Sequence, residues 1–107
     1  MSLSIKTPLL ESLPLEQLNG TQVWMKMEAA QPSGSFKIRG IGHACEYHYG
    51  KGARRFISSS GGNAGLAVAY AGRKLGVPVV VVVPETTSER ARHLEGSKNP
   101  LVLRSSV

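Results

Sequence analysis

Cysteine is scarce in this chain of 107 residues: Cys45 is the only one, so no internal disulfide can form. A reducing cytoplasmic compartment is therefore expected. No apolar run approaches the roughly 20 residues that a membrane-spanning helix needs. Residues 1–6 also lack the charged-then-apolar layout of a signal peptide. The sequence thus predicts a globular protein without membrane association.

Acidic and aromatic residues are also few, which bears on nucleic-acid binding. The chain has seven acidic and 13 basic residues, which gives a formal charge of +6, and only six residues are Phe, Trp or Tyr. The cations are scattered, with one small cluster at Lys51, Arg54 and Arg55. No aromatic residue alternates with that cluster to form a stacking platform. We interpret the charge as a solvated basic face and expect no nucleic-acid partner.

Turn-forming and apolar patterns predict one small α/β domain. Residues 1–22 are expected to be irregular, because proline and glycine punctuate short apolar stretches there. The predicted strands are residues 23–28, 55–58, 79–83 and 101–103. The predicted helices are residues 35–49, a segment ending near Leu75, and a segment whose capping box is Thr86 and Glu89. This alternation implies a parallel sheet with crossover helices.

Two details of these elements carry predictions about packing. The predicted inner strand, residues 79–83, consists of valine alone, so both of its faces must be covered, as in parallel sheets. With three or four strands, an apolar edge and face would remain uncovered. The predicted buried face of the helix at residues 35–49 comprises Phe36, Ile41, Ala44, Cys45 and His48.

Two loops carry the candidate chemistry. Lys37 follows a small, flexible turn at the start of a predicted helix, where a desolvated lysine amine can react with an aldehyde. Taken alone, Lys37 also fits an ordinary surface lysine. The second loop, SSGGNAG at residues 59–65, joins a strand to a helix. Its backbone N–H groups and serine hydroxyls predict an anion site for a phosphate or carboxylate.

Several common motifs are absent from the sequence. The chain has no Walker-type phosphate loop, no dinucleotide fingerprint and no Gly-x-Ser-x-Gly elbow. His43, Cys45 and His48 lie close together, but they do not form a complete zinc set. We therefore predict no metal site.

The paired motifs resemble those of a known family. AQPSGSFKIRG at residues 30–40, SSGGNAG at residues 59–65 and PVVVVVP at residues 78–84 are similar to the serine/threonine dehydratase family. These are fold-type II pyridoxal-phosphate enzymes with a tryptophan synthase beta-like fold. The resemblance covers roughly residues 5–95. It implies an α/β fold with a partial parallel sheet, and pyridoxal 5'-phosphate as the cofactor.

The resemblance also implies roles for individual residues. Lys37 would carry the cofactor and later move the α-proton. Phe36 would pack against the cofactor ring, and Asn63 would hydrogen-bond its hydroxyl. The implied ligands of the substrate carboxylate are Ser60, Gly61, Asn63 and Ala64, with Ser59 adjacent. The implied reaction removes water and ammonia from serine or threonine, giving pyruvate or 2-oxobutanoate. The family further suggests a homodimer.

Part of the family's site is missing from the 107 residues. The resemblance implies a glycine-rich loop for the cofactor phosphate and a polar partner for the pyridine nitrogen, and neither occurs here. We therefore expect residues 1–107 to be the N-terminal part of a lyase domain, truncated after about residue 95 and inactive on its own. The alternatives are another fold-type II enzyme, such as a threonine synthase or cysteine synthase, and a non-enzymatic remnant that associates with a full-length relative.

Overall fold

The structure is a computed structural model that describes residues 2–84 and the strand at residues 101–105. The strands are β1 (Leu9–Glu11), β2 (Trp24–Lys26), β3 (Phe56–Ser58), β4 (Val79–Pro84) and β5 (Leu101–Ser105). The helices are α1 (Leu13–Asn19), α2 (Lys37–Gly50) and α3 (Asn63–Leu75), with a short 3-10 helix at Glu28–Ala30. The predicted helix at Thr86 lies outside the described residues. No helix among the described residues has the length and apolarity to cross a membrane.

The predicted parallel sheet is confirmed. Its strand order is β3-β4-β5, and both neighbouring pairs run parallel. Strand β5 confirms the strand predicted at residues 101–103. On one face of β4, Val79, Val81 and Val83 are buried, whereas Val80 and Val82 on the other face are only half-buried. The described residues therefore cover one face of the valine strand and leave the other partly open.

Helix α3 approaches the sheet closely because its buried surface is made of small residues. These residues are Gly65, Ala67, Ala69, Ala71 and Gly72. A Cβ atom at Gly72 would lie 2.1 Å from Val79 Cγ2 and 2.8 Å from the Val77 carbonyl oxygen. Position 72 therefore has room for glycine alone, and this contact sets how closely α3 sits on the sheet.

The prediction that residues 1–22 are irregular is wrong. Ser12 caps α1 by accepting a hydrogen bond from Leu15 N at 3.4 Å, and Gly20 ends the helix in the left-handed conformation. Strand β2, which is shorter than predicted, pairs antiparallel with β1 in a separate two-stranded sheet. It therefore does not belong to the parallel sheet.

Helix α2 buries a different face from the one predicted. Its buried residues are Ile38, Gly42 and Cys45, spaced four and three residues apart. Of the predicted set only Cys45 is buried, and Phe36 is 61% exposed. Leu3 packs against this face, and its Cβ would lie 3.2 Å from a Cβ placed on Gly42. Because glycine has no side chain, hydrophobic periodicity does not mark position 42 as part of the buried face.

Candidate active site

Lys37 is the first residue of α2, directly after a tight turn. Gly34 takes a positive φ of 87°, which favours glycine, and its N–H bonds to the Gln31 carbonyl oxygen at 2.8 Å. Ser33 and Ser35 are buried on either side of it, whereas Lys37 is exposed. The turn therefore delivers the lysine to the surface at the N-terminus of α2.

The serine-glycine loop organises itself through its own hydroxyl groups. Ser58 Oγ accepts a hydrogen bond from Ser60 N at 3.3 Å, and Ser60 Oγ accepts one from Gly62 N at 3.2 Å. Gly62 occupies the N-cap of α3 and has no side chain with which to cap it. The first N–H groups of a helix have no intrahelical partner. The N-terminus of α3 is therefore an uncapped group of donors at the positive end of the helix.

The two helix N-termini border one cavity. Its volume is about 380 Å³, and its lining residues are Phe36, Lys37, Arg39, Gly40, Ile41 and Ala64. Packing of α2 against α3 through Ile38, Ala67 and Ala71 holds the two ends side by side. The structure thus brings Lys37, Phe36 and Ala64 together. Asn63 is adjacent in sequence to Ala64, but it does not line the cavity, and neither do Ser59, Ser60 and Gly61.

An ion pair lies beside the first turn of α2. Arg39 donates from its Nε and from an NH2 nitrogen to the Glu28 carboxylate. The Arg39 guanidinium, followed by the Thr7 hydroxyl, lowers the pKa of Glu28 to about 2. Glu28 in turn raises the pKa of Arg39. The positive charge next to Lys37 is therefore already paired, so Arg39 does not face the amine as a free cation.

A second, apolar cavity of about 430 Å³ lies elsewhere along α2. Its lining residues are Ile41, Ala44, Cys45, His48, Ala53, Arg55, Phe56, Ile57 and Val68. Burial raises the pKa of the Cys45 thiol, which favours the unreactive neutral form. Within residues 2–84 and 101–105 there is no group of three possible metal ligands, and His43, Cys45 and His48 do not form one. Of the residues predicted to carry the chemistry, Phe36, Lys37 and Ala64 line the Lys37 cavity, and none lines this second one.

A family model described as pyridoxal-phosphate dependent enzyme matches residues 2–97. This chain belongs to that family. The match covers both loops and the valine strand between residues 79 and 84. The α/β fold with a parallel sheet, predicted from the resemblance, is that of pyridoxal-phosphate enzymes.

Individual relatives in the pyridoxal-phosphate family agree with the predicted resemblance. The chain is 58% identical over 86 residues to L-serine dehydratase/L-threonine deaminase of Mus musculus, covering 80% of this chain and 26% of that protein. It is 52% identical over 104 residues to the serine dehydratase-like protein of Homo sapiens, covering 96% of this chain and 32% of that protein. The chain thus spans about a quarter to a third of the length of these relatives.

Solved structures of the family superpose on the chain. The L-serine ammonia-lyase from Rhizomucor miehei has a TM-score of 0.87 at 36% identity, covering 99% of this chain and 34% of that one. The T.th. threonine deaminase has a TM-score of 0.86 at 32% identity, covering 97% of this chain and 32% of that one. The similarity extends over nearly the whole of the chain described here.

The residues at the Lys37 cavity fit pyridoxal phosphate. An exposed amine is available to an aldehyde, and the uncapped N-terminus of α3 provides donors for an anion. At the N-terminus of α2 the side chain of the N-cap residue Phe36 makes no capping hydrogen bond, and Lys37 N donates to Ser35 Oγ at 3.4 Å. In the adjoining turn, the buried Ser33 Oγ has no hydrogen-bond partner among the described residues. An amine beside the uncapped N-terminus of α3 suits a ligand that carries both an aldehyde and an anionic group.

Sequence reasoning missed the polar residues around Glu28. Gln31 is buried, and Glu28 contacts Thr7, Gln31 and Arg39 at once. Isolated polar residues of this kind have no periodic signature. Only the short spacing between Glu28, Gln31 and the lysine motif could have suggested that they act together.

Proposed function

We propose that the whole protein is a pyridoxal-phosphate-dependent ammonia-lyase for L-serine or L-threonine. The reaction removes water from the amino acid, and hydrolysis of the released enamine gives pyruvate or 2-oxobutanoate and ammonia. One observation carries the proposal: Lys37 and the N-terminus of α3 border the same cavity in a chain that is 58% identical to a serine dehydratase. An amine and an anion site must be adjacent for an amino acid to be held and to react.

The lysine side chain has two tasks in this proposal. Lys37 Nζ would hold the cofactor, and the same nitrogen would accept the proton from the substrate Cα. Bound pyridoxal phosphate supplies the electron sink for the electron pair left at Cα. The position of Lys37 at the helix start, exposed to the cavity, leaves its side chain free to move between these tasks.

The serine-glycine loop binds the substrate carboxylate in this proposal. Ser60, Gly61, Asn63 and Ala64 supply backbone and side-chain donors, with Ser59 adjacent. The loop is preorganised by hydrogen bonds from its own N–H groups to Ser58 Oγ and Ser60 Oγ. A carboxylate at the uncapped N-terminus of α3 is stabilised by both the donors and the helix dipole.

Two residues orient the cofactor ring. Phe36 is 61% exposed and lines the cavity next to Lys37, so its ring is available to pack against the pyridine. Asn63, the first residue of α3, is also exposed, and its amide is available to the ring hydroxyl. We further propose a cytoplasmic homodimer. The single cysteine supports the compartment, and the family resemblance supports the assembly.

The test is serine-dependent pyruvate formation by the whole protein loaded with pyridoxal phosphate. Lys37→Ala is expected to lower the rate by about a thousandfold, because the general base is lost. Lys74→Ala is the matched control, since Lys74 is an exposed lysine in the last turn of α3. Its rate should equal that of the unmodified protein.

Two results would contradict the proposal. Unchanged pyruvate formation by Lys37→Ala would exclude the lysine as the reactive amine. Formation of D-serine without pyruvate would instead indicate a racemase, the activity named for a solved Dictyostelium discoideum structure that is 29% identical with a TM-score of 0.83. Chiral chromatography and a coupled pyruvate assay distinguish these outcomes.

A further inference from the structure

We propose that Glu28 and Arg39 are positioning residues that hold the first turn of α2, and with it Lys37, against the N-terminal segment. This inference rests on the proposed function only in taking Lys37 as the reactive amine. Neither residue is required to touch the substrate or the cofactor. They act by fixing the backbone from which the Lys37 side chain extends.

The contact between Glu28 and Arg39 has the geometry of a specific clamp. Arg39 Nε bonds to Glu28 Oε1, and an Arg39 NH2 nitrogen lies 3.1 Å from Glu28 Oε2. Two parallel hydrogen bonds fix both the distance and the orientation of the guanidinium, which a single contact does not do. The Glu28 side chain is 18% exposed, whereas that of Arg39 is 43% exposed, so the carboxylate is partly shielded from water and the guanidinium is not.

Glu28 is itself held in place from two other directions. Thr7 Oγ1 donates to Glu28 Oε2, and Gln31 Nε2 lies 3.3 Å from both carboxylate oxygens. The buried Gln31 amide bonds to both backbone groups of Ile5, accepting from N at 2.9 Å and donating to O at 2.8 Å. The carboxylate therefore connects residues 5–7, the 3-10 helix and α2 into one polar network.

Arg39 is suited to anchor the turn without blocking Lys37. Successive helical residues differ by about 100° around the axis, so Lys37 and Arg39 leave α2 in different directions, although both border the cavity. Ile38, which is fully buried, fixes the apolar side of the same turn. The capping of this turn is weak: the N-cap residue Phe36 makes no side-chain hydrogen bond, and the bond that Lys37 N donates to Ser35 Oγ is long, at 3.4 Å. The ion pair supplies the polar anchor that the missing cap does not.

The engagement of Arg39 argues against a direct role in anion binding. The donors on Nε and one NH2 nitrogen are already used by Glu28, although Arg39 also borders the cavity. The contact with Glu28 keeps the Nε–NH2 edge of Arg39 from making a two-point contact with a phosphate or carboxylate in the cavity and leaves only the NH1 donors for such a ligand. The structure therefore favours a positioning role for Arg39 over a ligand role.

The experiment measures how readily Lys37 reacts with pyridoxal phosphate, independently of turnover. The whole protein is mixed with pyridoxal phosphate, borohydride is added, and peptide mass mapping shows which lysines carry the reduced pyridoxyl group. Arg39→Gln and Glu28→Gln should each slow labelling of Lys37 by about tenfold, because the amine is less well positioned. Labelling of the exposed Lys74 reports general reactivity and should not change.

Two controls separate positioning from loss of stability. Arg73→Gln removes an exposed arginine of α3 that has no ion pair within the described part of the chain, and it should leave Lys37 labelling unchanged. The exchanged pair, Glu28→Arg with Arg39→Glu, restores an ion pair but not the hydrogen bonds of Thr7 and Gln31 to the carboxylate, so it should raise labelling about threefold above either single variant. Hydrogen exchange of residues 36–40 should rise in the single variants and fall again in the exchanged pair.

The outcomes also separate this inference from the proposed function. If Lys37→Ala abolishes labelling and turnover but Arg39→Gln leaves labelling and hydrogen exchange unchanged, the positioning role is wrong and the function stands. If Arg39→Gln speeds exchange at residues 36–40 while Lys37→Ala keeps full turnover, the clamp exists but the proposed function fails. If neither single variant changes labelling while phosphate protects Arg39 from modification, Arg39 is an anion ligand instead.

Discussion

Two parts of the described chain bury different kinds of residue: residues 2–36, the polar half, and residues 37–84, the apolar half. Among residues 2–36, Leu3 is the only buried apolar residue, and five polar residues are buried: Thr7, Ser12, Gln31, Ser33 and Ser35. Among residues 37–84 the proportion reverses, with nine buried apolar residues and Ser58 as the only buried polar one. Lys37 lies at the boundary. Its position therefore depends on apolar packing from one side and on a polar network from the other.

Because of this difference, we expect the two halves to respond to different perturbations. Apolar burial is non-directional and tolerates small shifts, whereas hydrogen bonds lose strength steeply with distance and angle. The core of α2, α3 and the sheet sets where the helices lie. The network around Glu28 and Gln31 then sets the orientation of the helix start. The predictions below act on one half at a time.

The largest effect is expected from removing a buried side chain of the apolar half. Ile38→Ala should lower the free energy of unfolding by about 3 kcal/mol, because it removes a fully buried side chain and leaves a cavity. Ile57→Ala is the matched control, since Ile57 is 70% exposed, and it should cost much less. Urea unfolding measures both, and equal losses would contradict the description of this core.

A smaller loss of stability is expected from removing a hydrogen-bonding side chain of the polar half. Gln31→Leu should cost about 1–3 kcal/mol, because both backbone groups of Ile5 lose their buried partner. Hydrogen exchange of Ile5 N should accelerate as well. The control is Gln22→Leu, which changes an exposed glutamine of the same half. If Gln31→Leu were as stable as this control, the polar network would not be what holds residues 2–36.

The smallest effect should appear as a pH dependence confined to the polar half. The pKa of Glu28 is lowered from its ordinary value near 4.5 to about 2, so the folded state favours the ionised carboxylate. Its contribution to stability is then fully present above about pH 4.5 and is lost as the pH falls toward 2. Melting temperatures of the unmodified protein and of Glu28→Gln should therefore converge on acidification. A constant difference between them would contradict the ion pair.

Local patterns were sufficient to predict most of the apolar half. The glycine-serine loop, the helix that ends at Leu75 and the valine strand were all predicted, because each has its own signal in a short stretch of residues. The motif around Lys37 and the family resemblance were also readable. The roles predicted for Lys37, Phe36, Asn63 and the carboxylate ligands stay predictions, although Lys37 and Ala64 border one cavity.

The polar half was poorly predicted for a physical reason. Helix α1 had its signals in Ser12, Pro14 and Gly20, but the surrounding turn residues pointed to irregular structure. The pairing of β1 with β2 joins Leu10 to Met25, and nothing within either strand specifies that partner. The prediction of the buried face of α2 was wrong because Gly42 has no side chain, and it is buried by the close approach of Leu3.

The sequence by itself determined the parallel α/β character of the chain, the family to which it belongs and the residue types at the two loops. Those properties depend on residues close together in the chain, so they can be read from spacing. Only the tertiary structure decided that Lys37 and the N-terminus of α3 meet at one cavity and that Glu28 clamps Arg39. Such contacts join residues on different secondary-structure elements, and the packing of those elements determines which of the many available pairs form.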